Sequence, residues 1–357
     1  MHKHSEYMHW AKTCQAATYN LATSGVGPFP LRELPFDFAR LEINGDNKYG
    51  YPPLKQAIAR RAGVDPECVV TAAGTSFANH LAMAALFEPG DEVLIEHPAY
   101  ALLVDTARYL GADVKRFPRH EEDAYAIDPE AIRRALTPRT RLIVITNLHN
   151  PSSTLTPASV LREVVALASE AGVRVLVDEV YLDAVYDQTP PTAFHLGPEV
   201  VVTSSLTKIY GLSGLRCGWI LAEPPLARAM DHLNNLFAAG GVYAGEVLSL
   251  AAFENLDVIR SRTRPIVEAD RAELRRFLDE QRAVSAPRTE WGTTAFLRLD
   301  RGAVEPFAAR LRDEFQTSIV PGRFFDMPNH FRIGMGVNSA MFAKGLRQIE
   351  RALATAC

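Results

Sequence analysis

Residues 204–219 read SSLTKIYGLSGLRCGW. The hydroxyls of Ser204, Ser205 and Thr207 precede a single lysine, Lys208. Gly211, Gly214 and Gly218 follow it, with Arg216 eight residues on. The flanking runs EVVVTS (199–204) and CGWILA (217–222) are apolar and β-branched, so the lysine follows one strand and precedes another. Partial burial beside Arg216 lowers the pKa of an ammonium group and makes a free amine available as a nucleophile. A solvated loop lysine, the plainer reading, needs none of these neighbours.

Working outward, five more strand-like runs precede this stretch: CVVTAA (68–73), DEVLIE (91–96), ADVKRF (112–117), RLIVIT (141–146) and VRVLVD (173–178). Helical periodicity separates them, which is the pattern of βα units and predicts one large, mainly parallel seven-stranded sheet. The segment TPASVLREVVALASEAG (156–172) is one such helix, with Thr156 expected as cap, Pro157 in the first turn and Gly172 as stop. After about residue 250 the pattern changes to long charged helices (256–282), which Pro265 is expected to interrupt and bend. Short strands follow at TTAFLRLD (293–300), TSIVPG (317–322) and FRIGMG (331–336). The chain is therefore expected to divide into an N-terminal arm (1–45), a large three-layer α/β/α domain (46–255) and a small α+β domain (256–357).

At 357 residues with a formal charge of −4, the chain offers no electrostatic reason to bind nucleic acid or an anionic membrane. Its four cysteines (Cys14, Cys68, Cys217 and Cys357) show no CxxC pairing, and its start MHKHSEYMHW has no apolar signal core. Both point to a cytoplasmic protein. His2, His4 and His9 lack a carboxylate cluster, and no metal is expected.

Three further stretches place polar groups just after strand-like runs. In TAAGTSFANHLAMAALF (71–87), Thr75 and Ser76 bring hydroxyls and free N–H groups to a helix start, either as caps or as an anion site. In TNLHNPSST (146–154), Asn150 before Pro151 is held extended, so its amide can face a bound ring, although a plain turn explains Asn-Pro equally well. In VLVDEVYLD (175–183), Asp178 ends a strongly apolar strand, where a carboxylate needs a cation or good donors, and Tyr181 lies three residues on. A carboxylate for a pyridinium nitrogen, a lysine for a Schiff base, and helix N–H groups with an arginine for a phosphate are together what pyridoxal phosphate requires of a protein.

From LATSG (21–25) to FRIGMG (331–336) the chain resembles the class I/II aminotransferases, fold-type I pyridoxal phosphate enzymes of the aspartate aminotransferase superfamily, most specifically in SSLTKIYGLSGLRCGW. The resemblance implies that Lys208 forms the Schiff base and moves the Cα proton, and that Asp178 keeps the pyridine nitrogen protonated. Asn150 and Tyr181 would donate to the ring oxygen, Gly74, Thr75, Ser76, Ser205 and Arg216 would cradle the phosphate, and Tyr100 would stack on the ring. Tyr49 would reach a phosphate across a homodimer interface. Arg332 would bind the substrate carboxylate, with Gly25 nearby. Trp10 is a candidate for closing an apolar substrate pocket. Two departures concern turn geometry: Leu148 and Ser153 stand where the family has a proline and a glycine.

The implied activity is ping-pong transfer of an amino group between an L-amino acid and a 2-oxo acid. The same residues serve β-elimination, decarboxylation or cyclisation, because substrate orientation sets which bond at Cα breaks. A non-catalytic pyridoxal phosphate-binding regulatory domain is a third reading. Proteins of that kind carry a DNA-binding domain first, and only about 45 residues precede NKYGYPPLKQAI here.

Overall fold

Parallel strands that are covered by helices on both faces carry apolar residues at every position. Six of the seven runs are buried along most of their length in this way, and the seventh, DVKRFP at a sheet edge, is only partly covered and carries Lys115 and Arg116. The computed structural model describes residues 3–14 and 16–355, so His2 and Cys357 lie outside the described residues. The strands are β1 (Val69–Ala73), β2 (Glu92–His97), β3 (Asp113–Pro118), β4 (Thr140–Thr146), β5 (Arg174–Asp178), β6 (Val200–Ser205) and β7 (Cys217–Leu221). They form one sheet in the order β1-β7-β6-β5-β4-β2-β3. β7 is antiparallel to both of its neighbours and the other pairings are parallel.

Alternate residues of each strand enter different cores, as a period of two requires. Val69, Ile143, Val175, Val177, Val200 and Val202 pack on one face with Ile58, Leu161 and Val164 from the helices Pro52–Ala62 and Ala158–Ala171. Val70, Val93, Leu142, Val144, Leu176 and Val201 pack on the other with Ala78, Leu81 and Ala82 of the helix Thr75–Leu86. The result is the expected α/β/α arrangement. Because β7 runs opposite to its neighbours, its first residue lies at the same sheet edge as the last residues of β1, β4, β5 and β6. The register pairs Ala73 with Cys217, Thr146 with Asp178, and Ser205 with Gly218. The polar turns after these strands therefore converge at one edge, where open α/β sheets bind ligands.

A second, antiparallel sheet joins β8 (Val284–Ser285), β9 (Thr294–Leu299), β10 (Val320–Pro321) and β11 (His330–Gly334) in the order β10-β11-β9-β8. Its core holds Leu274, Leu297, Leu311, Phe331, Phe342 and Leu346, and Leu21 of the N-terminal segment packs into it. Tyr19–Asn20 pairs in parallel with Thr317–Ser318, so TSIVPG forms two short strands rather than one.

Other local expectations are corrected. The helix Leu256–Glu280 runs uninterrupted through Pro265. Buried Ile259, Val267 and Leu274 anchor both halves to the body of the protein, which outweighs the one backbone hydrogen bond that proline removes. The helix Ala158–Ala171 starts with Pro157 as cap residue, and Thr156 does not cap it. Thr156 instead accepts from Arg119 Nη2 at 3.3 Å and donates its N–H to Asn147 Oδ1 at 3.0 Å. Gly172 ends the helix at φ 67°, as expected. In the turn after β4, Leu148 is fully buried in the core. Ser153 adopts φ 65°, a conformation that favours glycine, and its hydroxyl donates to the Thr294 carbonyl at 2.8 Å, which holds it there.

The ion pair of Arg119 and Glu96 lies wholly inside. Arg119 Nη1 meets Glu96 Oε2 at 2.7 Å with both side chains 0% exposed. Glu96 Oε1 accepts from the Thr146 N–H and hydroxyl at 2.8 and 2.5 Å, and Thr146 Oγ1 accepts from the Asn150 N–H at 3.0 Å. Burial raises the Glu96 pKa against the opposing effect of Arg119. Removing the arginine leaves a buried carboxylate unpaired, so Arg119→Met is expected to destabilise the fold by about 3–5 kcal/mol at pH 7. An acid whose folded pKa is raised loses stability as pH rises through that value, so the deficit shrinks on acidification. Urea denaturation of both proteins at two pH values checks this.

Candidate active site

The sheet edge carries a cavity of about 200 Å³. Thr75, Ser76, Tyr100, Asn150, Asp178, Tyr181, Ser205, Lys208 and Arg216 all line it. Distances along the chain are erased because each residue sits at or just after a strand end, or, for Arg216, just before the antiparallel strand β7. A larger cavity of about 480 Å³ beside Glu179, Asp183 and Arg61 contains none of the expected residues.

Lys208 Nζ donates to Ser24 Oγ at 2.8 Å. Burial lowers its pKa, with Arg332 and Arg216 acting in the same direction and Tyr7 and Asp178 against it. The backbone around the lysine is pressed against the N-terminal segment: the Lys208 carbonyl accepts from the Val26 N–H at 2.8 Å, and a Cβ on Gly25 would stand 2.8 Å from that oxygen. Only glycine permits this approach.

Asp178 is pushed up to about 6 by burial, against hydrogen bonds from Asn79 and the Val180 N–H and the charge of Lys208. Asn79 Nδ2 donates to its Oδ2 at 2.8 Å and Val180 N to its Oδ1 at 3.0 Å. Tyr181 is buried and its phenol pKa is raised by that burial. Tyr100 precedes the helix Ala101–Tyr109, and its ring meets that of Tyr7 edge-on at 5.5 Å.

The helix Thr75–Leu86 begins beside this carboxylate with Gly74 at its cap position and no side-chain cap. The capping explanation for Thr75 and Ser76 therefore fails. The Thr75 hydroxyl is buried with no partner among the described residues. The first N–H groups of a helix have no acceptor within it, and its dipole favours an anion there. Arg216 Nη2 bonds the Ala73 carbonyl at 2.9 Å, and a Cβ on Gly74 would lie 2.2 Å from that same nitrogen. Ser205 Oγ accepts from the Thr207 N–H at 3.2 Å. An orphaned hydroxyl, free helix N–H groups and an adjacent guanidinium make a site for a phosphate group.

Arg332 is fully buried on β11. Its Nη1 donates to Asn150 Oδ1 at 3.0 Å and its Nη2 to Tyr7 Oη at 3.1 Å. Its Nε has no partner, and among the described residues no carboxylate lies within 4.0 Å of the guanidinium. A buried cation without a counter-ion is poised to receive an anion. Asn150 thus joins Arg332 to the cavity.

Gly25, Gly74 and Arg332 adjoin lining residues without lining the cavity themselves, and Trp10 and Tyr49 lie away from it. Trp10 stacks beyond Tyr7, at 6.4 Å between centroids, and lines a separate cavity with Cys14 and Arg312. The helix Glu6–Thr13 turns Met8 to the cavity and Tyr7 to Arg332, so EYMHWAK contributes those residues and Trp10 supports them from behind. Tyr49 is 48% exposed beside His232, away from the cavity of its own chain. Ser24, Asn79, Thr146, Tyr7 and Met8 escaped the sequence reading. Asn79 left one visible signal, a polar residue one turn after Thr75 in a helix that, past His80, is wholly apolar.

Among the described residues no group of His, Cys, Asp or Glu is arranged to hold a metal ion, and no helix is long and apolar enough to cross a membrane. The family model for aminotransferase class I and II matches residues 39–349. Capreomycidine synthase of Streptomyces vinaceus is 30% identical over 309 residues, which are 85% of this chain and 79% of that protein. The aspartate/prephenate aminotransferase of Thermus thermophilus is 25% identical over 349 residues, 94% and 91% of the two chains. The crystal structure of a PLP-dependent aminotransferase from Streptococcus suis superposes with a TM-score of 0.92 at 26% identity and covers 99% of this chain and 98% of that one. The phosphate cradle at Thr75 and the buried carboxylate of Asp178 facing the Lys208 amine suit the cofactor of those enzymes, and this chain belongs to the class I and II aminotransferase family, with pyridoxal phosphate as its cofactor.

Proposed function

We propose that this enzyme moves an amino group between an L-amino acid and a 2-oxo acid. The observation that carries the reading is the Arg332 guanidinium, buried without a counter-ion and hydrogen-bonded to Asn150 at the cavity of Lys208. An α-carboxylate bound there places the substrate Cα beside the lysine amine. Bound pyridoxal phosphate supplies an electron sink for negative charge at that carbon. Lys208 is the attachment point and carries the proton from Cα, a role suited to an amine whose pKa burial has lowered. Asp178 would hold a proton on the ring nitrogen, and Asn150 and Tyr181 would donate to the ring oxygen. Tyr100 would pack on the ring, and Thr75, Ser76, Ser205 and Arg216 would hold the phosphate next to Gly74.

We also propose a homodimer in which Tyr49 reaches the second copy's phosphate. Ile43 (80% exposed), Leu236 (78%) and Val242 (76%) flank Tyr49 or the segment tied to it, where Asn47 Nδ2 bonds the Gly241 carbonyl at 3.0 Å. Apolar side chains so exposed fit burial against a second copy.

A second reading is favoured by the 30% identity to capreomycidine synthase: another reaction at Cα or Cβ, such as cyclisation, on the same residues. Mixing the holoenzyme with single amino acids separates the two. Transamination yields a 2-oxo acid and leaves pyridoxamine phosphate on the protein. Release of ammonia or CO2, or a cyclised product, with no pyridoxamine phosphate would overturn it.

Three variants probe the assigned roles. Lys208→Ala is expected to lower kcat by about 10³-fold or more while the protein still binds pyridoxal phosphate. Arg332→Lys keeps the charge but loses the planar fork, and is expected to raise KM for amino acids about tenfold with a smaller change in kcat, read by initial rates. Gly74→Ala drives a Cβ into Arg216 at a φ of 79°, and is expected to raise the Kd for pyridoxal phosphate about tenfold in a fluorescence titration.

A further inference from the structure

The carboxylate assigned to the pyridine nitrogen is itself held by a chain of two buried side chains. Thr203 Oγ1 donates to Asn79 Oδ1 at 2.6 Å, and Asn79 Nδ2 donates to Asp178 Oδ2 at 2.8 Å. All three residues are buried: Thr203 is 0% exposed, and Asn79 and Asp178 are 4% exposed. Thr203 is the register partner of Asp178 on the neighbouring strand, so their side chains rise from the same face of the sheet. The helix Thr75–Leu86 lays Asn79 across that face, one turn beyond the phosphate cradle.

The order of donors sets a direction. Thr203 uses its single proton on the Asn79 carbonyl oxygen, which turns the amide nitrogen toward Asp178. A reversed amide would set its oxygen against a carboxylate oxygen and leave the Thr203 proton facing an NH2 group. We infer that Asn79, oriented by Thr203, is a positioning residue that aims Asp178 at the cofactor ring and keeps it ionised. With Val180 N on Oδ1, each carboxylate oxygen has one fixed donor and capacity left for a ligand in the cavity. The inference rests on the assignment of Asp178 to the ring nitrogen.

Other groups also face this carboxylate. The Lys208 amine, from the loop after β6, favours its ionised form, whereas Glu96 at the end of β2 opposes it. Glu179, Tyr100 and Tyr181 complete the titratable surroundings. Burial is the largest influence and acts upward, and the Asn79 hydrogen bond is the first of those opposing it. Without that bond Asp178 takes up a proton at higher pH. Cofactor affinity then falls off sooner as pH decreases, because a neutral carboxyl no longer pairs with a ring N–H cation.

The experiment measures the Kd for pyridoxal phosphate by fluorescence titration across about pH 5.5 to 9 for wild type, Asn79→Leu, Thr203→Val and Thr203→Ser. The cofactor's own titrations are common to all four and cancel in the comparison. In Asn79→Leu the acid limb is expected to move up by about one pH unit, so that affinity at pH 7 falls up to about tenfold. Thr203→Val is expected to move it less in the same direction, and Thr203→Ser to match wild type. A limb within about 0.2 pH units of wild type in both Asn79→Leu and Thr203→Val overturns the relay while leaving the functional assignment intact. Absence of pyridoxal phosphate binding by wild type overturns the assignment itself. Should Asn79→Leu fail to fold, the Thr203 pair carries the same comparison.

Discussion

The arrangement depends on placing a carboxylate and an amine of opposite preferred charge around one cavity. Burial acts on both toward neutrality, raising Asp178 to about 6 and lowering Lys208. Their mutual attraction opposes this for both groups. Asp178 gains further opposition from Asn79 and the Val180 N–H, so it is the better supported of the two as an ion. Lys208, flanked by Arg332 and Arg216, is pushed toward the free amine. One cavity therefore sets an anion beside an amine pushed toward its free form, which suits the proposed roles of ring counter-ion and proton carrier without a separate device for each.

Around this pair the scaffold is built to leave anion sites unfilled. The Thr75 helix starts without a side-chain cap, and Arg332 is buried without a carboxylate. In a protein stabilised only for its own sake both ends would be paired internally. The helix start lies on the large sheet edge and Arg332 on β11 of the second sheet, where Asn150 bonds Arg332 and lines the cavity of Lys208 and Asp178. The internal ion pair of Glu96 and Arg119 supports this connection through Thr146, whose hydroxyl receives the Asn150 N–H. The interior thus supplies charge-assisted bonds where positional accuracy is needed and withholds them where a ligand is to bind.

Much of this was legible in the chain. All seven strands of the main sheet were visible, six as largely apolar runs because they are buried, and the edge strand β3 as a short run with Val114 and Phe117. The candidate residues after β1, β4, β5 and β6 were legible for the same reason, since a polar residue immediately after an apolar strand is conspicuous. Residues inside helices and on the N-terminal segment were not. Asn79 reads as one polar residue on a mostly apolar helix, and its purpose appears only when Thr203 and Asp178, 124 and 99 positions away, are seen beside it. Tyr7 and Trp10 are equally plausible in EYMHWAK, and only the docking of that helix against Tyr100 and Phe324 decides which faces the site.

The sequence by itself determined the α/β class, the strand set and most of the chemical inventory at strand ends: a lysine, an acid, an amide, hydroxyls and Arg216. Local periodicity and turn chemistry encode these within a few residues, so no distant contact is needed to read them. Tertiary structure decided the strand order, the antiparallel placement of β7 that brings Arg216 to Gly74, the donor order Thr203 to Asn79 to Asp178, and the meeting of Arg332 with Asn150 across 182 residues. Hydrogen-bond direction and the absence of a counter-ion belong to pairs of groups brought together by packing, so no residue carries them alone.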